Sequence, residues 1–124
     1  MSAIIDKYKL VFQILKGNKN VRLASIDSEN NPDLGFHLWG YFRGLPINFL
    51  TNYLLPEVNN AINGHPFQED GDGTLSFLTI GPSVSTFSAL NEAVTDVSIP
   101  TQDLKDIIDA WVGWITINHL EGNI

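Results

Sequence analysis

The groups in this chain with the means to do chemistry are its fourteen carboxylates and three imidazoles. Asp70-Gly71-Asp72-Gly73 sets two acids on a glycine-rich backbone, an arrangement that hard divalent cations favour. Counted from Asp70, a calcium loop of the EF-hand kind needs an acid at its twelfth position. Gly81 stands there, and no helix is expected to follow. The segment therefore reads as a solvated turn or, with Glu69, as an acidic contact loop for a partner. His37, His65 and His119 lie far apart, and none has a second histidine or an acid at zinc-binding spacing. No serine occupies a Gly-x-Ser-x-Gly elbow, and nothing in the spacing favours a triad of His37, Asp72 and a serine. The absence of cysteine removes disulfides, thiolate metal sites and cysteine nucleophiles together. The expectation is a protein that is not an enzyme and that has no cofactor and no metal site.

Binding is the other kind of work that side chains do, and two groups suggest it. His37, Trp39 and Tyr41 alternate, and on a strand they would share a face suited either to a core or to an aromatic binding patch. Asp103, Asp106 and Asp109 recur three apart, the spacing of one side of a helix. On their own they are an ordinary solvated helix face. They gain weight from the distribution of charge. Residues 44–124 hold ten acids against the single basic residue Lys105, a formal −9, whereas residues 1–43 sum to +2. Ordinary surfaces interleave both signs. A surface of one sign repels itself, and in return it steers an oppositely charged partner. Nucleic acid and acidic membrane are disfavoured as partners, since their binding rests on neutralised phosphates.

The elements that must position these groups follow from periodicity. Tyr8, Leu10, Phe12 and Ile14 alternate with Lys7, Lys9, Val11 and Gln13, Gly17-Asn18-Lys19-Asn20 supplies a turn, and Val21 to Ile26 resumes. A β-hairpin is the simplest account. Phe36 to Phe42 alternates again and is expected to be a third strand. From Leu45 to Ile62 the apolar spacing changes to threes and fours, which indicates an amphipathic helix. Pro56 predicts an interruption in it, and Asn63-Gly64 a left-handed cap. Strands are expected over 74–80, 83–90 and 94–99. A last helix begins at Thr101, a candidate cap residue, with Leu104, Ile107, Ile108, Trp111 and Ile115 on its inner face. Strands thus run consecutively with short turns. That order predicts an α+β fold, with a mostly antiparallel sheet of five or six strands and a central and a C-terminal helix packed on it.

At 124 residues the expectation is a single domain spanning 1–124, which buries about two-thirds of its unfolded surface. An acid follows two isoleucines at the N-terminus, unlike a signal peptide. No stretch approaches the ~18 apolar residues of a membrane span. A cytoplasmic location is expected.

The acidic loop Gln68-Glu69-Asp70-Gly71-Asp72-Gly73 and the segment Val97-Ser98-Ile99-Pro100-Thr101-Gln102-Asp103-Leu104, leading into Ile107-Ile108-Asp109-Ala110-Trp111, resemble the small acidic immunity proteins of bacterial contact-dependent growth inhibition and related toxin systems. The resemblance is one of overall style along the chain. It implies a cytoplasmic α/β protein that binds one cognate toxin, a basic protein of the nuclease kind, and blocks it by occlusion. Glu69, Asp70, Asp72, Asp103, Asp106 and Asp109 are the expected partner-binding residues. Two alternatives stand beside it. One is a homo-oligomeric scaffold, a homodimer through Trp114 and Ile117 of the last helix. The other is a small ligand-binding domain or enzyme using the His37/Trp39/Tyr41 face.

Overall fold

The structure, a computed structural model, describes residues 3–16, 22–42, 45–64, 67–68, 76–89 and 93–118. It opens with a short helix that alternation does not reveal, α1 (Ala3–Tyr8), which buries Ile4. Lys9, at a φ of 49°, turns the chain into β1 (Leu10–Lys16). β1 pairs antiparallel with β2 (Arg22–Ser28), and Phe12 lies opposite Ile26 and Ile14 opposite Ala24 on the inward face. The expected hairpin is present, although its turn lies outside the described residues.

The expected third strand over Phe36 to Phe42 is not a strand. These residues form the second half of a helix, α2 (Pro32–Phe42). The Asn31 side chain accepts a hydrogen bond from the Leu34 amide at 3.1 Å, and Pro32 takes the first helical position, where no amide hydrogen is needed. Leu34, Leu38, Tyr41 and Phe42 are fully buried at helical spacing. Aromatic residues also occupy the opposite flank, and it is this two-sidedness that imitates strand alternation.

A helical segment follows in three pieces: α3 (Ile47–Phe49), a π-helical stretch (Leu50–Leu54) and α4 (Leu55–Ile62). The Leu55 amide bonds the carbonyl of Leu50, five residues back. Pro56 has no amide hydrogen, and its ring would press on the carbonyl of Asn52. The wider turn just ahead of it relieves that clash without breaking the helix. Gly64 closes the segment at a φ of 93°, with its amide on the Ala61 carbonyl at 3.0 Å.

Three further strands, β4 (Ser76–Ile80), β5 (Val84–Ala89) and β6 (Val97–Pro100), pair antiparallel in sequence order. A two-residue strand, β3 (Phe67–Gln68), joins the outer edge of β4. The α+β class holds. The single sheet of five or six strands does not, because the hairpin and the later strands form two separate antiparallel sheets. The residues that would have bridged them coil into α2.

The final helix, α5 (Thr101–Ile117), buries the expected stripe of Leu104, Ile107, Ile108, Trp111 and Ile115. Thr101 does not cap it. Its hydroxyl donates to the Gly81 carbonyl at 2.7 Å and receives the Ser85 hydroxyl at 2.8 Å, which ties the start of α5 to the β4–β5 turn. α2 and α5 lie between the sheets. α2 touches β2 on one side and β4 and β5 on the other. Trp111 of α5 meets Phe12 of β1 edge-on at 5.8 Å and stacks on Phe42 of α2 at 6.1 Å. Each such aromatic pair contributes about 1 kcal/mol beyond its burial. No helix among the described residues is long and apolar enough to cross a membrane.

Candidate partner-binding site

Glu69, Asp70 and Asp72 lie outside the described residues, as do His65 and His119. The other three expected acids sit on α5 and differ in what they hold. Asp103 is pinned. Its carboxylate accepts the Lys7 ammonium at 2.7 Å and the Tyr8 hydroxyl, and its side chain is only 14% exposed. It fastens α1 to α5. Burial, and then the Asp103 carboxylate beside it, hold the pKa of the Tyr8 hydroxyl far above its usual value. Asp109 pairs with Lys105 one turn earlier at 2.9 Å, and that hydrogen bond raises the lysine's pKa. Asp106 accepts the Gln102 side-chain amide at 3.2 Å. Asp106 and Asp109 border a depression of about 370 Å³ between α1 and α5, floored by Ala3, Ile4 and Ala110.

On α2, His37, Trp39 and Tyr41 do not share a face. His37 and Tyr41, four residues apart, point into the core and are fully buried, while Trp39 turns to the outer flank, half-buried. The His37 Nε2 lies 2.9 Å from the Thr95 carbonyl, which can only accept, so Nε2 carries the proton. Nδ1 lies 2.9 Å from Ser76 Oγ, within hydrogen-bond reach of that hydroxyl. By distance this is a nucleophile–base pair. Ser76 is 1% exposed and His37 0%, which denies both to a substrate. The imidazole instead joins α2 to β4 and to the segment before β6, and it stacks on Phe87 of β5 at 5.8 Å.

A second concave feature lies elsewhere. A cleft of about 510 Å³ runs between the outer face of β2 and the outer flank of α2. Ser25, Asp27 and Glu29 form one wall, and Pro32, Phe36 and Trp39 form the other. Pro32, Phe36 and Trp39 recur at helical spacing, so α2 carries a second apolar stripe besides its core face. Gly35 sets the close fit between the walls. A Cβ at Gly35 would fall 2.0 Å from Asp27 Oδ1 and 2.8 Å from the Ser28 amide nitrogen. The same carboxylate oxygen accepts the Ser28 amide at 2.7 Å. No ion pair holds Asp27 or Glu29 among the described residues.

Reading Phe36 to Phe42 as a strand hid this cleft, because it placed Trp39 on a strand and left α2 out. Asn31-Pro32, a capping residue followed by a first-turn proline, was the signal that reveals α2 and with it the 32/36/39 stripe. Compared with models of known protein families, with curated proteins and with solved structures, the chain matches none.

Proposed function

We propose that this chain is a binding protein that neutralises a basic partner by occlusion, in the manner of the small acidic immunity proteins it resembles, the partner being a toxin domain of the nuclease kind. The observation that carries this reading is the excess of acid in residues 44–124, a formal −9 whose single basic side chain, Lys105, is paired with Asp109. Such a field speeds the encounter with a cationic surface by one to three powers of ten, and buried contacts then set the lifetime of the complex. Carboxylates would cover the lysines and arginines that a nuclease uses to hold phosphates. The burial of His37 and Ser76 adds nothing to the enzyme alternative.

The test is capture from source-cell lysate with the tagged chain as bait, followed by kinetics on what is captured. The expected result is a basic protein bound stoichiometrically, with its action on nucleic acid blocked and an association rate that falls about tenfold or more from low to high salt. A captured protein of neutral or acidic charge, or a rate indifferent to salt, overturns the reading. Self-association is favoured by one observation, the 77% exposure of Ile117 at the end of α5. Sedimentation at micromolar concentration separates it, because a clean monomer removes it.

A further inference from the structure

We propose that Asn63 is a site of spontaneous covalent modification: it deamidates through the Gly64 amide to aspartate and isoaspartate, and the product unfastens the C-terminal end of α4. The inference is independent of the basic-partner reading and concerns a different part of the molecule.

Asn63 is the one asparagine in the chain that a glycine follows. Both residues are exposed, and a Cβ built at Gly64 would meet no atom within 4 Å, so water and base reach the pair. Once solvent base has taken the proton of the Gly64 amide, its nitrogen attacks Cγ of Asn63. The N–Cγ bond forms, the Cγ–Nδ2 bond breaks, and ammonia leaves with a proton from water. The five-membered imide then takes up one water. Cleavage of the new bond leaves an aspartate at this position. Cleavage of the original peptide bond leaves isoaspartate, in which the main chain runs through the side-chain carbon. In sum, one amide and one water become one carboxylic acid and one ammonia, with nothing oxidised or reduced. A side chain on the following residue would hinder the attacking nitrogen, and glycine has none.

The fold selects which asparagine reacts. Asn31 precedes Pro32, whose nitrogen carries no hydrogen to lose. The Asn30 side chain is engaged with the Lys7 carbonyl and the Ser28 hydroxyl, each at 3.1 Å. Asn59 and Asn60 are exposed, but they lie within α4 and precede residues that carry a Cβ. Asn63 stands just beyond the helix as its cap residue, with its own amide on the Asn59 carbonyl at 3.1 Å. One brake remains. The Gly64 amide donates to the Ala61 carbonyl at 3.0 Å, and its nitrogen is available only while that bond is open. Helix ends open by fraying far more readily than a protein unfolds.

The modification falls on the cap itself. Gly64 reaches Ala61 because its φ of 93° turns the chain back. Isoaspartate inserts one further carbon into the main chain immediately before that turn, which carries the amide off its acceptor. Either product also sets a negative charge at the negative end of α4, whose last turn holds no basic residue. α4 buries Val58 and Ala61 and touches α5 and β3, so loosening at its end reaches the core.

The test is peptide mapping by mass spectrometry of the full chain aged in mildly alkaline buffer, beside the same chain unfolded in guanidinium. Electron-transfer fragmentation tells isoaspartate from aspartate. The expected result is that Asn63 converts before any other asparagine, with isoaspartate in excess. Conversion should be several-fold slower in the folded chain than in the unfolded one, and faster as pH rises. Aged chain should exchange the amides at the end of α4 several-fold faster than fresh chain. Asn63→Gln, whose longer side chain closes the ring poorly, should age without that change. Earlier conversion of another asparagine, or an intact Asn63 in the folded chain once the unfolded chain has fully converted, overturns the site. Equal rates in the two states overturn the brake at the Gly64 amide. Unchanged exchange in the aged chain overturns the loss of the cap.

Discussion

Asp103 on α5 and Asp27 on β2 are both carboxylates with an aromatic ring close by, and they differ in what they already hold. Asp103 is mostly covered and engaged by Lys7 and Tyr8. Asp27 is exposed and, among the described residues, accepts the amide hydrogen of Ser28. Charge counted along a chain is therefore not charge offered to a partner. The acids that stood out by spacing are partly engaged within the fold, while Asp27 and Glu29, which spacing did not single out, belong to no ion pair among the described residues.

Substitution of the two acids should separate them. Asp103→Ala strands the Tyr8 hydroxyl and removes a charge-assisted bond between α1 and α5. A loss of about 2 kcal/mol is expected in urea unfolding. Asp27→Asn should stay within about 0.5 kcal/mol of the parent chain. Equal losses at the two positions would erase the distinction.

Alkaline pH sharpens it. The pKa of Tyr8 is raised by burial and by Asp103 from an ordinary value of 10.0. Below that pH the phenol is protonated in both the folded and the unfolded chain, and its contribution is complete. Above it the unfolded chain releases the proton first, so the unfolded state binds fewer protons and stability falls as pH rises. Tyr8→Phe should unfold with a shallower dependence on pH above 10 than the parent chain. Parallel profiles would mean that Asp103 does not hold the phenol in solution. The smallest effect belongs to the solvated side of α5. Lys105→Ala should cost only about 0.3 kcal/mol in thermal unfolding, the size of an exposed i,i+4 pair. A loss as large as that of Asp103→Ala would place Lys105 in the architecture and not on its surface.

Periodicity made some of this visible and hid the rest. The hairpin was legible because Phe12, Ile14, Ala24 and Ile26 face inward with solvated neighbours between them. The stripe of α5 was legible for the matching reason, one buried face repeating at helical spacing. Pro56 and Gly64 acted where their backbone constraints said they would, although the proline produced a widened turn and not a break. α2 was missed because both of its flanks are aromatic, so that taking every second residue in Phe36 to Phe42 finds an apolar side chain whichever way the backbone coils. The cleft went with it, since a site between two elements cannot be read when one of them is misassigned. The tie between Lys7 and Asp103 spans nearly the whole chain and leaves no local mark in the sequence.

That same tie has a consequence for the order of assembly on the ribosome. α1 is the first described element to emerge, and its six residues are too few to hold a helix unaided. Its anchor, Asp103, is made 96 residues after Lys7. Through most of synthesis the N-terminal segment must therefore remain uncommitted, while the hairpin behind it has only short-range pairing to form. Closing so long a loop costs little more than closing one of half its length. It cannot begin, however, until α5 has left the exit tunnel, so α1 is secured only after every described element between the two has emerged.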